Sequence, residues 1–564
     1  MTENPSRYLN AKPYNGMASK SRTSWARQSW FLGAVIGLCI LIILPMLSLA
    51  LTAMGNGEGL IFHLMDTVLL RYLKNTVVLM LGVGVLTLLF GITTAWIISR
   101  YEFPGRRLIG WMLLLPAAIP SYIIAYVYTS FFEYAGPVQS AIRSSFGFAN
   151  MSEYWFPEIR STGGAIFVMG VVLYPYVYLM SRSGFSQLPA RLFEVTLITG
   201  RSLFWHVALP LGRPAIMAGL ALVLMEVVAD FGTVDFFAVE TLSLGIYNVW
   251  LGMNNITTAA QLALLAFALV FILLAWERYG RQKSQFSITN RSINGVPRRH
   301  ATGHWRWLLP VICMVPVTLG FFLPVGILIE HSFSQGFDHL PAVASAISHT
   351  VIAAGLGVVV IMATALMIAI ITFYIPSPVA RSLASISATG YAFPGTVLAL
   401  GVLATVSFID NGWSWVGYNV FGATWRGVLG GGLVMLIFAY LIRFQAVGLG
   451  AVRAALERMP SSLVPASRVM GYGFLPSMGK IVLPLISPAI LAGGLLVFVD
   501  IMKELPMTLL LRPFDFNTLA IITYQYAHDE LIELAALPAL MIVLTGLLPV
   551  IIVNSYLFKN NNLS

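Results

Sequence analysis

Residues 207–233 read VALPLGRPAIMAGLALVLMEVVADFGT, and residues 481–507 read IVLPLISPAILAGGLLVFVDIMKELPM. The second stretch lies 481 − 207 = 274 positions after the first and aligns without a gap. Leu209, Pro210, Leu211, Pro214, Ala215, Ile216, Ala218, Gly219, Leu222 and Val223 recur as Leu483, Pro484, Leu485, Pro488, Ala489, Ile490, Ala492, Gly493, Leu496 and Val497. The same offset pairs Thr76-Val77 with Thr350-Val351, and Pro120 with Pro394. The chain is one unit written twice, and two pseudo-symmetric halves can enclose a path between them.

The unit belongs in a membrane. Of the 564 residues, 58% are hydrophobic and only 10% charged, where a soluble chain carries about 25% charged residues. A run of about 20 apolar residues crosses the hydrocarbon core as a helix. Such runs fall at 31–53, 76–99, 109–132, 163–181, 214–233 and 260–276, then at 307–330, 350–373, 382–408, 428–447, 486–503 and 534–557. The expected fold is all-α and polytopic, with about 12 transmembrane helices. Six spans per half make the two repeats parallel. The expected division is a cytoplasmic tail 1–30, repeat one over 31–276, a cytoplasmic linker 277–306 and repeat two over 307–558.

The net charge of +10 does not point to nucleic acid, because no basic run with interleaved aromatics occurs. The basic residues sit in alternate loops, as the positive-inside rule requires. Arg100, Arg106 and Arg107, then Arg182, Arg191, Arg201 and Arg213, then Arg443, Arg453, Arg458, Arg468 and Lys480 read as cytoplasmic. Glu133, Glu153, Glu158, Asp235, Glu240, Asp515, Asp529 and Glu530 read as outside. Both termini are therefore expected in the cytoplasm, and the first span reads as uncleaved. Cys39 and Cys313, also 274 apart, read as buried free thiols.

Before each repeated Leu-Pro lies a loop of helical character. The second reads Pro465-Ala466-Ser467-x3-Gly471-x9-Ile481-x-Leu483-Pro484, and the first reads Glu194-Val195-Thr196-x3-Gly200-x6-Val207-x-Leu209-Pro210. A short helix, a glycine that lets the chain turn, a second segment and a proline form a stiff knuckle. This pattern resembles the EAA-x3-G-x9-I-x-LP loop of ATP-binding-cassette importer permeases. Pro465 departs from the Glu of that pattern, and the first copy is three residues short. MEVVADFGTVDFFAVETLSLGIY (225–247) and MKELPMTLLLRPFDFNTLA (502–520) resemble the two-domain permeases of ferric iron importers. Related fused permeases carry thiamine, and neighbours carry polyamines, sulfate or organophosphonates. The resemblance implies a bacterial inner-membrane permease embedded in lipid, with two copies of a cytoplasmic ATPase docked on the loops. Glu194, Gly200, Leu209, Pro210, Ala466, Gly471, Ile481, Leu483 and Pro484 are the expected coupling residues. A periplasmic binding protein would deliver the substrate. The chain holds no G-x4-GK-[ST] phosphate loop, so ATP is expected on the partner subunit and no cofactor on this one.

Four acids recur at the same offset: Glu226 with Asp500, and Asp230 with Glu504. Four residues apart, the acids of each half share a helix face. From Pro214, Glu226 sits about 18 Å along its span. An ionisable group deep in a span costs about 2.5–3.5 kcal/mol, so the four are candidates for a substrate path. Carboxylate oxygens suit hard cations. The alternatives are a structural ion pair of Lys503 with Glu504, and Asp230 and Glu504 lying in headgroup water. Arg512 reads as a vestibule or interface residue, and Pro116, Pro120 and Pro394 as helix breaks. His63, His331, His339, His349 and His528 show no metal-ligand spacing and read as solvated. A proton-coupled carrier would use the acids as relays but leaves the paired loops unexplained. No intramembrane enzyme motif is present.

Overall fold

The computed structural model describes residues 22–559 apart from 187, 189–193, 195, 197, 283–297, 335–339, 375–377, 424–429 and 461. Most of the linker, the first part of the tail and His339 lie outside the described residues. Twelve principal helices carry the fold. Those of the first half are α1 (Arg22–Ala53), α2 (Leu69–Arg100), α3 (Ser121–Phe132), α4 (Thr162–Ser186), α5 (Leu209–Ala229) and α6 (Ile256–Gln282). Those of the second are α7 (Trp305–Val317, continued as Leu323–Ser334), α8 (Leu340–Tyr374), α9 (Gly395–Phe421), α10 (Leu433–Arg458), α11 (Leu483–Met502) and α12 (Ile532–Lys559). Among the described residues, eleven stretches are long and apolar enough to cross a membrane, or 12 if the bent pair Arg106–Ala118 and Ser121–Phe146 counts as one span. Helix α6 runs to Gln282 and α7 starts at Trp305, so helix extends into the expected linker 277–306 from both ends.

The offset of 274 holds in the backbone. Short 3-10 turns at Leu115–Ala118 and Thr389–Ala392 precede Pro120 and Pro394, and α3 and α9 then start at Ser121 and Gly395. Each proline stands just before a helix with an extended ψ near 140°, where its missing N–H leaves no bond unmade. The span expected at 382–408 thus begins at Gly395 instead. Single π turns at Phe204–Ala208 and Met478–Val482 run into α5 and α11. Each is followed by Leu-Pro, as is a third at Thr318–Phe322 in α7. A proline removes one helical bond and pushes against the carbonyl four residues back; the wider turn relieves both.

Lipid is as apolar as leucine, so close packing has to hold these helices together. Gly219 of α5 lies so near α4 that a Cβ there would meet Val177 Cα at 2.9 Å, and one at Gly493 of α11 would meet Ala451 at 2.6 Å. The repeated Ala-Gly is therefore a helix crossing. Thr76 and Thr350 have matching tasks. Each donates to the carbonyl four residues back at 2.7 Å. Thr76 accepts from the N–H of Leu242 at 3.1 Å, and Thr350 from that of Leu519 at 2.8 Å, each at the start of a short helix. Thr350→Val strands that buried N–H and is expected to lower stability by about 1–3 kcal/mol, read as a fall in the thermal unfolding midpoint in detergent.

The first helix of each half is exchanged. Val35, Cys39 and Ile42 of α1 sit in the core of the second half. Leu309, Cys313, Val317 and Phe321 of α7 sit in the core of the first. Glycines mark both seams: a Cβ at Gly401 of α9 would meet Pro45 O at 2.7 Å, and one at Gly320 would run into Val171 O. Both cysteines are buried free thiols.

Candidate functional site: a central carboxylate cavity and two exposed knuckles

Helix α5 ends at Ala229 and α11 at Met502, and the chain restarts as the short helices Gly232–Phe236 and Pro506–Leu511. A helix start exposes unpaired N–H groups that need acceptors. Asp230 Oδ1 accepts from Thr233 N at 2.9 Å, and its Oδ2 accepts from the hydroxyls of Ser121 at 2.6 Å and Thr233 at 2.9 Å. Glu504 accepts from Met507 N at 3.0 Å and from Thr508 N at 2.9 Å. Asp230 and Glu504 thus hold the helix breaks. Glu504 is only 6% exposed, which replaces the reading of a carboxylate in headgroup water.

Between the breaks lies a cavity of about 140 Å³, walled by both halves and lined by Glu226, Asp230, Asp500 and Glu504 together. Tyr122, Tyr176, Tyr391, Arg443 and Lys503 complete its polar wall. The Tyr391 hydroxyl donates to Glu226 Oε1 across the halves at 3.2 Å. Lys503 pairs with Asp500 at 3.0 Å, and Arg443 faces Glu504 at 3.9 Å. The expected Lys503–Glu504 pair is therefore corrected to Lys503–Asp500. Among the described residues, no three His, Cys, Asp or Glu side chains could hold a metal ion together.

Arg443 is the largest miss of the sequence reading, which groups it with the cytoplasmic loop although it falls within the span expected at 428–447. Helix α10 runs from Leu433 to Arg458, with Arg443 inside it. The repeat could have found this residue through its mismatches. The acids are duplicated at the offset of 274, which sets Lys503 opposite Ala229 and Tyr391 opposite Ala117; in the helix before the knuckle the offset is 471 − 200 = 271, which sets Arg443 opposite Val172 and Tyr176 opposite Val447. The second half supplies both cations to its own acids, whereas the acids of the first half are held by hydroxyls and backbone.

The two loops expected to couple form knuckles at one end of the bundle. Gly200 and Gly471 have φ of +64° and +86°, the left-handed region that glycine tolerates. Glu194, Ala466 and Gly471 are exposed, while Leu209, Pro210, Ile481 and Leu483 are half-buried where the loop feeds into α5 or α11, and Pro484 is exposed there. Ser467 and Ser477 share a buried hydrogen bond of 2.8 Å that ties the second knuckle together. Its three extra residues make the short helix Phe474–Ser477, which the first knuckle lacks. Two positions before each glycine stands an apolar residue in the open: Ile198, 86% exposed, and Val469, 88% exposed. The sequence reading passed over this symmetric pair of knobs.

At the opposite end the halves touch through polar side chains. Tyr524 donates to Asp235 at 2.6 Å, Arg160 lies 3.6 Å from Glu530, and Ser130 lies 3.1 Å from His331. Of the expected solvated histidines, His63 and His528 are exposed, His528 with Asp235 at 3.9 Å, whereas His331 and His349 are half-buried, His349 with Asn517 O at 3.1 Å. Arg512 donates to the Asn517 side chain.

The chain matches the family described as "Binding-protein-dependent transport system inner membrane component" twice, over residues 87–279 and 361–560. The two matches start 361 − 87 = 274 positions apart. The chain belongs to this family. As an ATP-binding-cassette permease it is a transport subunit of the inner membrane, built to work with an ATPase and a binding protein. It is 25% identical over 505 residues to the Fe(3+)-transport system permease protein FbpB 2 of Haemophilus influenzae, covering 86% of this chain and 90% of that one. It is 27% identical over 281 residues to the sulfate transport system permease protein CysW of Escherichia coli, 46% of this chain and 91% of that one. It is 27% identical over 194 residues to the molybdenum transport system permease protein ModB of the same species, 33% and 81%. The permease thus has relatives of its own two-repeat length and relatives about one repeat long.

Proposed function

We propose that this permease moves ferric iron inward across the membrane, driven by two ATPase subunits seated on the knuckles around Gly200 and Gly471. The face bearing those glycines is then cytoplasmic, with both termini, and the face bearing Asp235 and Tyr524 receives the binding protein. Carrying this reading is the central cavity, with four carboxylates and two bases on its wall. Hard trivalent iron prefers oxygen ligands, and the excess of acid favours a cation. Among the described residues no three acids converge on one point, and the open arrangement of the four in the cavity suits passage rather than storage.

In this scheme, closure of the ATPase pair moves the two knuckles together. Each knuckle continues through its π turn into α5 or α11, so its motion reaches the helix ends that hold Glu226 and Asp500. Opening the outer contacts lets iron enter over the acids, and reopening of the knuckles lets it leave inward.

The test is uptake of radiolabelled ferric iron into vesicles containing the permease, its ATPase and its binding protein, with and without ATP. ATP-dependent uptake that thiamine, polyamines and organophosphonates leave unchanged is the expected result. Arg443 and Lys503 favour a second reading, that of an oxyanion cargo such as sulfate or molybdate. Lys503 already pairs with Asp500 at 3.0 Å, and Arg443, whose Nη1 has no hydrogen-bond partner among the described residues, lies 3.9 Å from Glu504, so an anion would meet one available base among four carboxylates. ATP-dependent sulfate or molybdate uptake in the same vesicles would replace iron with that cargo, and uptake that follows a proton gradient without ATP would remove the ATPase from the scheme.

A further inference from the structure

Lys503 is the cavity residue that the proposed iron path leaves without a task. It stands at the end of α11, with its ammonium 3.0 Å from Asp500. Glu226 and Tyr176, on the first half, line the same cavity. Its side chain is 30% exposed, on a flexible four-carbon stem that allows it to swing. The repeat places Ala229 at the matching position of the first half, 503 − 274 = 229, so this cation is present once where the acids are present twice. A second observation concerns what the wall lacks. Tyr122 is 5% exposed and lines the cavity, yet its hydroxyl has no hydrogen-bond partner. A buried hydroxyl left so is costly, and a polar guest in the cavity would satisfy it.

We propose that Lys503 is a tethered counter-cation that occupies the carboxylates of the empty cavity and must be displaced by each incoming trivalent cation, which sets the affinity low enough for passage. The inference rests on the reading of the cavity as a cation path. In the resting protein the ammonium neutralises Asp500 beside Glu226. A metal that engages these acids pushes the ammonium aside by charge repulsion. When the metal moves on, the ammonium returns and competes for the same oxygens. Lys503 therefore speeds release at the expense of binding, much as a leaving group is helped by a waiting competitor.

The experiment uses the full-length permease in lipid nanodiscs with terbium(III), a hard trivalent cation whose luminescence is sensitised by nearby tyrosines. Lys503→Gln is expected to tighten terbium binding about tenfold or more, since a unit charge a few ångströms away acts on three charges of the metal. Lys503→Arg, which keeps the charge, is expected to bind as weakly as the wild type. Glu226→Gln with Asp500→Asn supplies the background. Equal affinity in wild type and Lys503→Gln, both above that background, would overturn the role of Lys503 while leaving the cation path standing. Equal tightening in Lys503→Arg would also overturn it, because shape and not charge would be the cause. Binding at background level in all three, together with undiminished iron uptake by the Glu226→Gln/Asp500→Asn variant, would remove the cation path and the inference with it.

Discussion

Replacing Ile198 and Val469 together by aspartate is expected to cut ATP-driven uptake by more than about a hundredfold and to release the ATPase during purification, because an unpaired carboxylate buried in an interface costs several kcal/mol. Both side chains are almost fully exposed, at 86% and 88%, so the fold has little to lose. Thermal unfolding of the isolated permease should stay at the wild-type value. Each knob stands two residues before a glycine with positive φ, so the turn presents it outward in the same way on both halves. Gly471→Val tests the turn itself. Nothing lies within 4 Å of that glycine, so the expected loss comes from the backbone, about 1–2 kcal/mol for a side chain in the left-handed region. Retained docking and uptake in the aspartate double variant would move the ATPase contact elsewhere on this face.

The second large effect belongs to the cavity. Glu226→Gln with Asp500→Asn is expected to lower iron uptake about tenfold to a hundredfold, since each charged contact given up is worth roughly 1.5 kcal/mol. ATPase co-purification should be unchanged, because neither residue lies in a knuckle. Asp230→Asn and Glu504→Gln should behave differently. Those two hold the N–H groups of the short helices, so their amides should lower the unfolding midpoint along with uptake. Uptake that survives the Glu226/Asp500 pair would return these acids to a structural role.

The contrast between the two acid pairs shows how far the sequence could be read. The offset of 274 identified the duplicated unit, the paired acids and the paired loops, because each of these is a repeated pattern. It could not say that the chain breaks after Ala229 and Met502. Asp230 and Glu504 look like membrane acids in a continuous helix and become helix caps only once the break is seen. Arg443 was misplaced for a related reason. An arginine normally ends a span, and only burial between two halves lets one stay inside it. The exchange of α1 and α7 left a sequence trace only in Cys39 and Cys313, which are 274 apart yet lie in each other's half. Packing partners distant in the chain have no local signature, whereas the knuckle glycines, whose φ is a local property, were legible from the start.

The exchanged helices also put the chain on a clock. Pro45 of α1 packs on Gly401 of α9, which leaves the ribosome 401 − 45 = 356 residues later. At about 5–20 residues per second this is roughly 20–70 s. Throughout that time α1 sits in the bilayer without this neighbour, and until Trp305–Ser334 has been made the core of the first half also lacks the side chains that α7 brings. The second half therefore completes the first as well as adding to it. A nascent chain that stalls before Trp305 leaves a membrane stub with two unfilled seams, a substrate for membrane proteolysis rather than a working half-permease.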